Sequence, residues 1–155
     1  MSDSEFREAF EKTKRASVSQ LLIKAGRLAN ERGISRIPRA PGQARLRPSH
    51  MAVFPHVEFE GTRMSTIAER LGVSKQAVSQ LVGDLEAMGV LQRVRDPSDG
   101  RARLVKFSEE GPKFLMQGMQ VLASVDADLQ RKLGEERYGR FREVLLDVVE
   151  ELEGG

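Results

Sequence analysis

The sequence of 155 residues contains no cysteine. This absence excludes disulfide bonds, cysteine-ligated zinc sites, thiol nucleophiles and redox sensing by a thiol. The apolar runs fall well short of the roughly 20 residues that a membrane-spanning helix requires. Residues 1–5 are polar and acidic, which is not the pattern of a signal peptide. We therefore expect a cytoplasmic protein that does not associate with a membrane.

Histidine is limited to His50 and His56. Two residues six positions apart face different sides of a helix, so this pair cannot form a metal site on one helix face. The sequence also lacks a phosphate-binding loop, a nucleophile elbow and a paired-carboxylate motif. We therefore predict no metal ion, no cofactor and no enzymatic activity.

The net charge of +2 is unevenly distributed along the chain. Residues 1–107 contain 19 lysines and arginines against 12 acids, whereas residues 108–155 contain 6 against 11. A basic first part and an acidic second part indicate that the first part meets a polyanion. Charged helix faces in contact with water explain the asymmetry equally well when it is considered alone.

Residues 65–107 carry the most specific pattern in the chain. The predicted order is a helix (66–71), a turn (72–73), a helix opened by Ser74 (to 88–89), a strand (91–95), a turn (96–100) and a strand ending at Phe107. This order is typical of a winged helix-turn-helix, in which the second helix fits the major groove of DNA and the hairpin, or wing, reaches an adjacent minor groove.

The second of these helices has one apolar face and one polar face. The apolar face consists of Val78, Leu81, Leu85 and Met88, which we expect to pack on Ile67 and Leu71. The outward residues include lysine, glutamine and serine, the types that hydrogen-bond to base edges and phosphates. Gly83 costs about 1 kcal/mol of helix propensity, so we expect a close neighbour there, either DNA or another helix. The alternative for the polar face is simple contact with water.

The hairpin carries five basic residues. An arginine at a hairpin tip can enter a narrow minor groove, where the electrostatic potential is most negative. Asp99 either forms a salt bridge with Arg101 or caps the turn. The alternative is a surface hairpin whose arginines meet only water. The predicted DNA contacts are Ser74, Lys75, Gln76, Ser79 and Gln80 on the helix, and Arg93, Arg95, Asp99, Arg101 and Arg103 on the hairpin.

Amphipathic helices are predicted on both sides of this unit. Apolar residues recur at helical spacing over 4–32, with Ser4 as a cap and Gly33 as the end, and a proline-containing linker follows over 33–48. Pro48 suits the first turn of a short helix that Pro55 should kink or end. Ser108 is predicted to open a helix that Gly134 ends, and a last helix covers 141–152. These apolar stripes exceed what one winged helix can cover, which favours a homodimer.

Four stretches of this sequence together resemble the MarR (multiple antibiotic resistance regulator) family. They are IAERLGVS (67–74), LEAMGVL (85–91), DPSDGR (96–101) and SEEG (108–111). The resemblance is specific across 62–111. It places the family's Asp-x-Arg wing element on Asp99 and Arg101, whereas Gly100 stands where an arginine is common.

The resemblance implies a mainly α fold with a small β wing, in one MarR-like domain over 1–155. Residues 1–35 and 108–155 would be dimerisation helices, and 46–107 the winged helix-turn-helix lobe that binds double-stranded DNA. The implied function is a sequence-specific transcriptional regulator, a ligand-responsive dimeric repressor on a pseudo-palindromic operator. The alternative is a winged helix used only as a protein-interaction module, which the basic wing disfavours because a docking surface is usually more apolar.

The resemblance also implies an effector pocket between the dimerisation helices and the DNA-binding lobe. In the family such pockets often hold small aromatic acids or phenols. The candidate effector-binding residues in this sequence are Arg27, His50, Phe54 and Met119, of which His50 is the preferred one.

Overall fold

A computed structural model describes residues 2–38 and 45–154. The α-helices of this part are α1 (Asp3–Ala16), α2 (Val18–Arg36), α3 (Pro48–Met51), α4 (Met64–Leu71), α5 (Lys75–Ala87), α6 (Gly111–Leu133) and α7 (Glu135–Glu153). Its strands are β1 (Thr62–Arg63), β2 (Leu91–Asp96) and β3 (Asp99–Phe107), and Phe54–His56 form a 3-10 turn. The predicted mainly α fold with a small β wing is confirmed. The middle of the predicted linker, residues 39–44, lies outside the described residues.

The single helix predicted over 4–32 is wrong, because the chain forms two helices there. Ser17 has extended backbone angles (φ −79°, ψ 116°), ends α1 and caps α2 by accepting a hydrogen bond from the Gln20 N–H. Serine offers the backbone such a local alternative to the helical hydrogen bond. The cap of α1 is also Ser2 rather than Ser4, in a capping box with Glu5.

Gly33 does not end the second of these helices, which continues to Arg36. Gly33 is buried where α2 packs on α6, and a Cβ atom there would lie 3.4 Å from Leu122 Cδ2 and 3.8 Å from Val121 Cγ1. The glycine therefore permits close packing of two helices rather than a turn.

The short helix that begins at Pro48 is confirmed, although it is shorter than predicted. It ends at Met51, and Pro55 lies within the following 3-10 turn instead of ending the helix itself. Val53 and Val57 from this segment are buried in the core.

The helix-turn-helix is formed by α4 and α5. Gly72 joins them in the left-handed conformation (φ 65°), which glycine adopts without steric cost, and Ser74 caps α5 by accepting from the Ala77 N–H at 3.1 Å. Both features agree with the sequence-based expectation. The buried face of α5 is rotated from the predicted one, since Val82 is fully buried with Val78 and Leu85 whereas Leu81 and Met88 are half-buried.

The sheet has the strand order β1-β3-β2, and both pairings are antiparallel. The wing is therefore the predicted hairpin with a third, two-residue strand added to it by the Thr62↔Val105 pairing. The core lies between this sheet, α4 and α5, and its apolar members include Ile67, Ala68, Leu91, Val105 and Phe107.

The connection from the wing to α6 is closely packed. α6 begins at Gly111, three residues after the predicted cap Ser108, whose hydroxyl accepts from the Gly111 N–H at 3.0 Å and donates to the Gly89 carbonyl at 2.5 Å. A Cβ atom on Gly111 would lie 2.7 Å from the Val90 carbonyl oxygen. The start of α6 is thereby fixed against the end of α5.

The long helices leave much apolar surface uncovered. Within the described residues, α1 and α7 contain no buried side chain. No helix of this part is both long and apolar enough to cross a membrane. The exposed apolar side chains of the long helices include Phe6, Phe10, Leu21, Ile23, Leu28, Met116, Met119, Phe141, Val144, Leu146 and Leu152.

Candidate nucleic-acid interface

The outward face of α5 carries part of the predicted set of DNA contacts. Lys75, Gln76 and Gln80 are exposed, at or near the N-terminal half of the helix. The Ser74 hydroxyl is occupied as an acceptor by the helix cap. This face of α5 thus presents the ammonium group of Lys75, which can donate hydrogen bonds. It also presents the amides of Gln76 and Gln80, which can both donate to and accept from base edges.

Ser79 and Arg93 contact each other instead of both facing outward. Arg93 Nη2 donates to the Ser79 carbonyl at 2.8 Å and lies 3.4 Å from its hydroxyl. Arg93 Nη1 lies 3.3 Å from the Glu86 carboxylate. The structure therefore places the Arg93 guanidinium against α5 and not on the outer surface of the wing. A Cβ atom on Gly83 would lie 3.9 Å from Arg93 Nη2, so the close neighbour expected there is this side chain.

The outer part of the wing presents three arginines. Arg95, Arg101 and Arg103 are exposed, and Arg95 lies directly opposite Arg103 in the strand register. Of the two roles considered for Asp99, the turn cap is confirmed, because its Oδ1 accepts from the Arg101 N–H at 3.1 Å. Like charges placed opposite each other destabilise an antiparallel pair, so the isolated hairpin carries an electrostatic cost.

Arg63 and Asp96 hold the wing in place and were not predicted as site residues. Asp96 is buried, and its Oδ2 accepts from Arg63 Nε at 2.8 Å and lies 2.6 Å from Arg63 Nη2. Its Oδ1 accepts from the Ser98 N–H at 2.8 Å and the Ser98 hydroxyl at 2.6 Å. The hydrogen bonds from Ser98 and Arg63 lower the pKa of Asp96 to about 2. The Asp-Pro-Ser sequence favours the local turn, but no sequence signal identifies the Arg63 partner.

A second polar cluster joins α3 to the outward side of α5. His50 is 1% exposed, and its Nδ1 accepts from the Arg47 N–H at 3.0 Å. The neutral ring therefore carries its proton on Nε2, which donates to Asp84 Oδ2 at 3.1 Å. The Arg47 guanidinium bonds to the same carboxylate. The hydrogen bond from His50, together with Arg47, lowers the pKa of Asp84.

The four candidate effector residues lie on four different elements, namely α2, α3, the 3-10 turn and α6. Both ring nitrogens of His50 are engaged as described, and Phe54 packs against Phe107 and Phe114 with ring centroids 6.4 and 6.2 Å apart. Arg27 pairs with Glu31 at 2.7 Å on the surface of α2, and Met119 is exposed on α6. An open cavity of about 320 Å³ between the end of α5 and the start of α6 has other lining residues, namely Met88, Gly89, Val90, Glu110, Lys113, Phe114 and Gln117.

The described residues contain no group of three histidine, aspartate or glutamate side chains that could hold a metal ion. The clusters around Asp84 and Asp96 are hydrogen-bonded ion pairs. They fix the helix and the wing relative to the core.

Comparison with known proteins gives the family of this winged helix-turn-helix. Residues 48–102 match the model of the MarR family. The winged helix-turn-helix of this chain, over residues 48–102, is thereby identified as that of the MarR family. MarR-family proteins are transcription regulators and not enzymes, so the expectation of a non-enzymatic protein is confirmed by the family.

Three relatives show how far the likeness extends. The transcriptional regulator HosA of Escherichia coli O111:H- is 23% identical over 99 residues, which are 64% of this chain and 73% of HosA. The transcriptional regulator Tm0710 of Thermotoga maritima is 26% identical with a TM-score of 0.60, over 88% of this chain and 91% of that one. The transcriptional repressor CouR, bound to a 23-mer DNA duplex, is 18% identical with a TM-score of 0.58, over 87% and 94% of the two chains.

Proposed function

We propose that this MarR-family regulator is a sequence-specific repressor that binds duplex DNA as a homodimer. In this proposal α5 enters the major groove and the wing formed by β2 and β3 reaches the adjacent minor groove. The observation that carries the proposal is the exposed, directly opposed pair of Arg95 and Arg103. A polyanion relieves the repulsion between them, because each guanidinium can then bond to a phosphate or to the edge of a narrow minor groove.

The exposed residues of α5 support base recognition in the major groove. Gln76 and Gln80 are four positions apart and therefore lie on one side of the helix. A glutamine amide can pair with adenine through two hydrogen bonds, and Lys75 can contact guanine or a phosphate. Arg101 at the wing is held by the Asp99 cap, so its backbone position is fixed before DNA arrives.

The dimer in this proposal uses residues 1–35 and 108–155, and the DNA-binding lobe is residues 46–107. Phe6 and Phe10 stack at 5.9 Å on the surface of α1 and are each about half exposed. On α7, Phe141 and Val144 are exposed as well. Apolar side chains on both terminal helices favour burial against a second copy, since exposed stripes of this length promote association.

A two-fold dimer sets the form of the target. Its two recognition helices would lie about 34–36 Å apart, which is one turn of DNA. The operator should therefore be a pseudo-palindrome with half-sites centred about 10 base pairs apart. CouR, a repressor of similar fold, is bound to a 23-mer DNA duplex, which supports duplex binding by this fold. Response to a small aromatic or phenolic effector, implied by the family resemblance, stays a prediction.

Selection of duplexes from a random pool by the purified protein tests the proposal. We expect enrichment of a pseudo-palindromic sequence over successive rounds. Gln76→Ala should select a motif with weaker preference in each half-site, because a two-hydrogen-bond pairing with a base supplies about 1–3 kcal/mol of discrimination. The control is Glu60→Ala, an exposed residue of the DNA-binding lobe that lies outside both α5 and the β2–β3 hairpin. Absence of any enriched motif would favour a protein-interaction module instead.

A further inference from the structure

We propose that Arg93 is a positioning residue that sets base discrimination by bracing the recognition helix α5 against the wing, and that it is not a DNA contact. The inference rests on the proposed DNA-binding function and assigns Arg93 a different role from its exposed neighbour Arg95. Both arginines lie on β2 two positions apart, so they share one face of the strand.

The contacts of Arg93 converge on the middle of α5. Ser79 and Glu86 are seven positions apart, about 10 Å along the helix axis. A helical carbonyl points toward the C-terminal end, while side chains lean toward the N-terminal end. The Ser79 carbonyl and the Glu86 carboxylate therefore approach each other over Gly83. The guanidinium occupies that position, with Nη2 at 2.8 Å from the carbonyl and Nη1 at 3.3 Å from the carboxylate.

The absence of a side chain at Gly83 makes room for the guanidinium. A Cβ atom there would already be in van der Waals contact with Arg93 Nη2, at 3.9 Å. A longer side chain would extend into the space that the guanidinium occupies. The position next to the guanidinium thus accommodates a Cβ atom but not a side chain that extends further toward Arg93.

Burial also separates Arg93 from a phosphate contact. Its Nε atom is buried and has no hydrogen-bond partner among the described residues. The side chain as a whole is 31% exposed, and its two terminal nitrogens face α5. An arginine that binds a phosphate needs its N–H groups directed toward the solvent, where the phosphate can reach them. In this protein Nη2 already donates to the Ser79 carbonyl and Nη1 is paired with the Glu86 carboxylate.

The brace acts on recognition through the accuracy of the helix position. Val78, Val82 and Leu85 anchor α5 in the core by non-directional packing, whereas Arg93 makes directional bonds to it. Base contacts require placement within about 0.5 Å, while phosphate contacts made by flexible side chains tolerate more. Removal of the brace should therefore lower discrimination between sequences and leave the electrostatic part of DNA binding unchanged.

Two variants and one matched control test this role. Arg93→Met and Arg93→Lys would be compared with Arg95→Met on two probes: the duplex selected by the wild-type protein and a scrambled duplex of the same composition. For both Arg93 variants we expect the affinity ratio between the probes to fall about tenfold or more. The slope of log K against log salt on the scrambled duplex should stay at the wild-type value. For Arg95→Met that slope should become shallower by about 0.9, the change expected when one phosphate is no longer neutralised.

Two different results would contradict the proposed role of Arg93. A shallower salt slope with an unchanged affinity ratio in Arg93→Met would make Arg93 a phosphate contact and overturn the inference. Wild-type discrimination by Arg93→Lys would also overturn it, because lysine keeps the charge but cannot bond Ser79 and Glu86 in the same fork. The lysine variant decides the matter if the methionine variant is poorly folded. If the wild-type protein itself prefers neither duplex, the proposed function fails first, and the inference fails with it.

Discussion

Arg63 and Asp96 form a charge-assisted pair that joins the helix-turn-helix to the wing. Arg63 precedes α4 directly, and Asp96 is the last residue of β2. Two guanidinium nitrogens of Arg63 approach one oxygen of the Asp96 carboxylate at 2.6 and 2.8 Å. The pair therefore fixes the wing relative to the start of α4, and the orientation of the hairpin depends on one buried carboxylate.

Replacement of Asp96 by asparagine should lower stability in a pH-dependent way. The folded pKa of Asp96 is about 2, below its ordinary value of 3.8. A depressed pKa contributes stability that is fully present above the ordinary value and is lost as the pH falls through the folded value. The difference in melting temperature between wild type and Asp96→Asn should therefore be largest above pH 4 and shrink toward pH 2. Asp126→Asn, an exposed control on α6, should differ little from wild type. A difference in melting temperature between wild type and Asp96→Asn that stays constant over this pH range would contradict the account.

Replacement of two glycines of α6 by alanine should change the free energy of unfolding in opposite directions. A Cβ atom on Gly111 would meet the Val90 carbonyl at 2.7 Å and Phe107 Cβ at 2.8 Å, so Gly111→Ala should destabilise the protein by about 1–3 kcal/mol. A Cβ atom on Gly118 meets nothing within 4 Å, so Gly118→Ala should gain up to about 1 kcal/mol from helix propensity. Urea unfolding measures both. Equal effects of the two substitutions would mean that the α5–α6 junction is not closely packed.

His50 should behave as a structural residue. Its ring is buried and bonds to the Arg47 backbone and the Asp84 carboxylate. We expect His50→Ala to lower the free energy of unfolding by about 1–3 kcal/mol. His56→Ala, at a half-buried position, should cost less. Unchanged stability of His50→Ala would contradict this structural role.

The oligomeric state should depend on the apolar face of α1. Sedimentation equilibrium should give a dimer for wild type and a weaker dimer for Phe10→Ala. Phe59→Ala is the matched control, because Phe59 is also an exposed phenylalanine but lies in the DNA-binding lobe. A stable wild-type monomer at micromolar concentration would exclude the proposed dimer and the spacing of its recognition helices.

The sequence predicted those features that local signals determine. Gly72 and Ser74 mark the turn and the cap of the recognition helix within a few residues, so α4, α5 and the hairpin were predicted nearly at their observed bounds. The break at Ser17 was missed because a single serine interrupts an otherwise continuous helical period. β1 is two residues long, which is too short for a period of two to be recognised.

The orientation of charged side chains was the least predictable part of the site. The alternating pattern of the wing placed Arg93 and Arg95 on one strand face, but their different surroundings depend on α5, which packs beside the first and not the second. The pairs Arg63–Asp96 and His50–Asp84 join residues more than thirty positions apart. Such pairs follow from the tertiary fold, and no spacing in the sequence indicates them.

The most direct test of the central claim is the salt dependence of duplex binding by the wing. Wild type and the double variant Arg95→Gln, Arg103→Gln would be titrated with one duplex at several salt concentrations. We expect a steep wild-type slope of log K against log salt, made shallower in the variant by about 0.9 for each phosphate that is no longer neutralised. We also expect the variant to melt at a higher temperature, because removal of opposed like charges stabilises the hairpin. An identical slope for both proteins, or wild-type binding that is independent of salt, would contradict DNA binding through the Arg95–Arg103 pair.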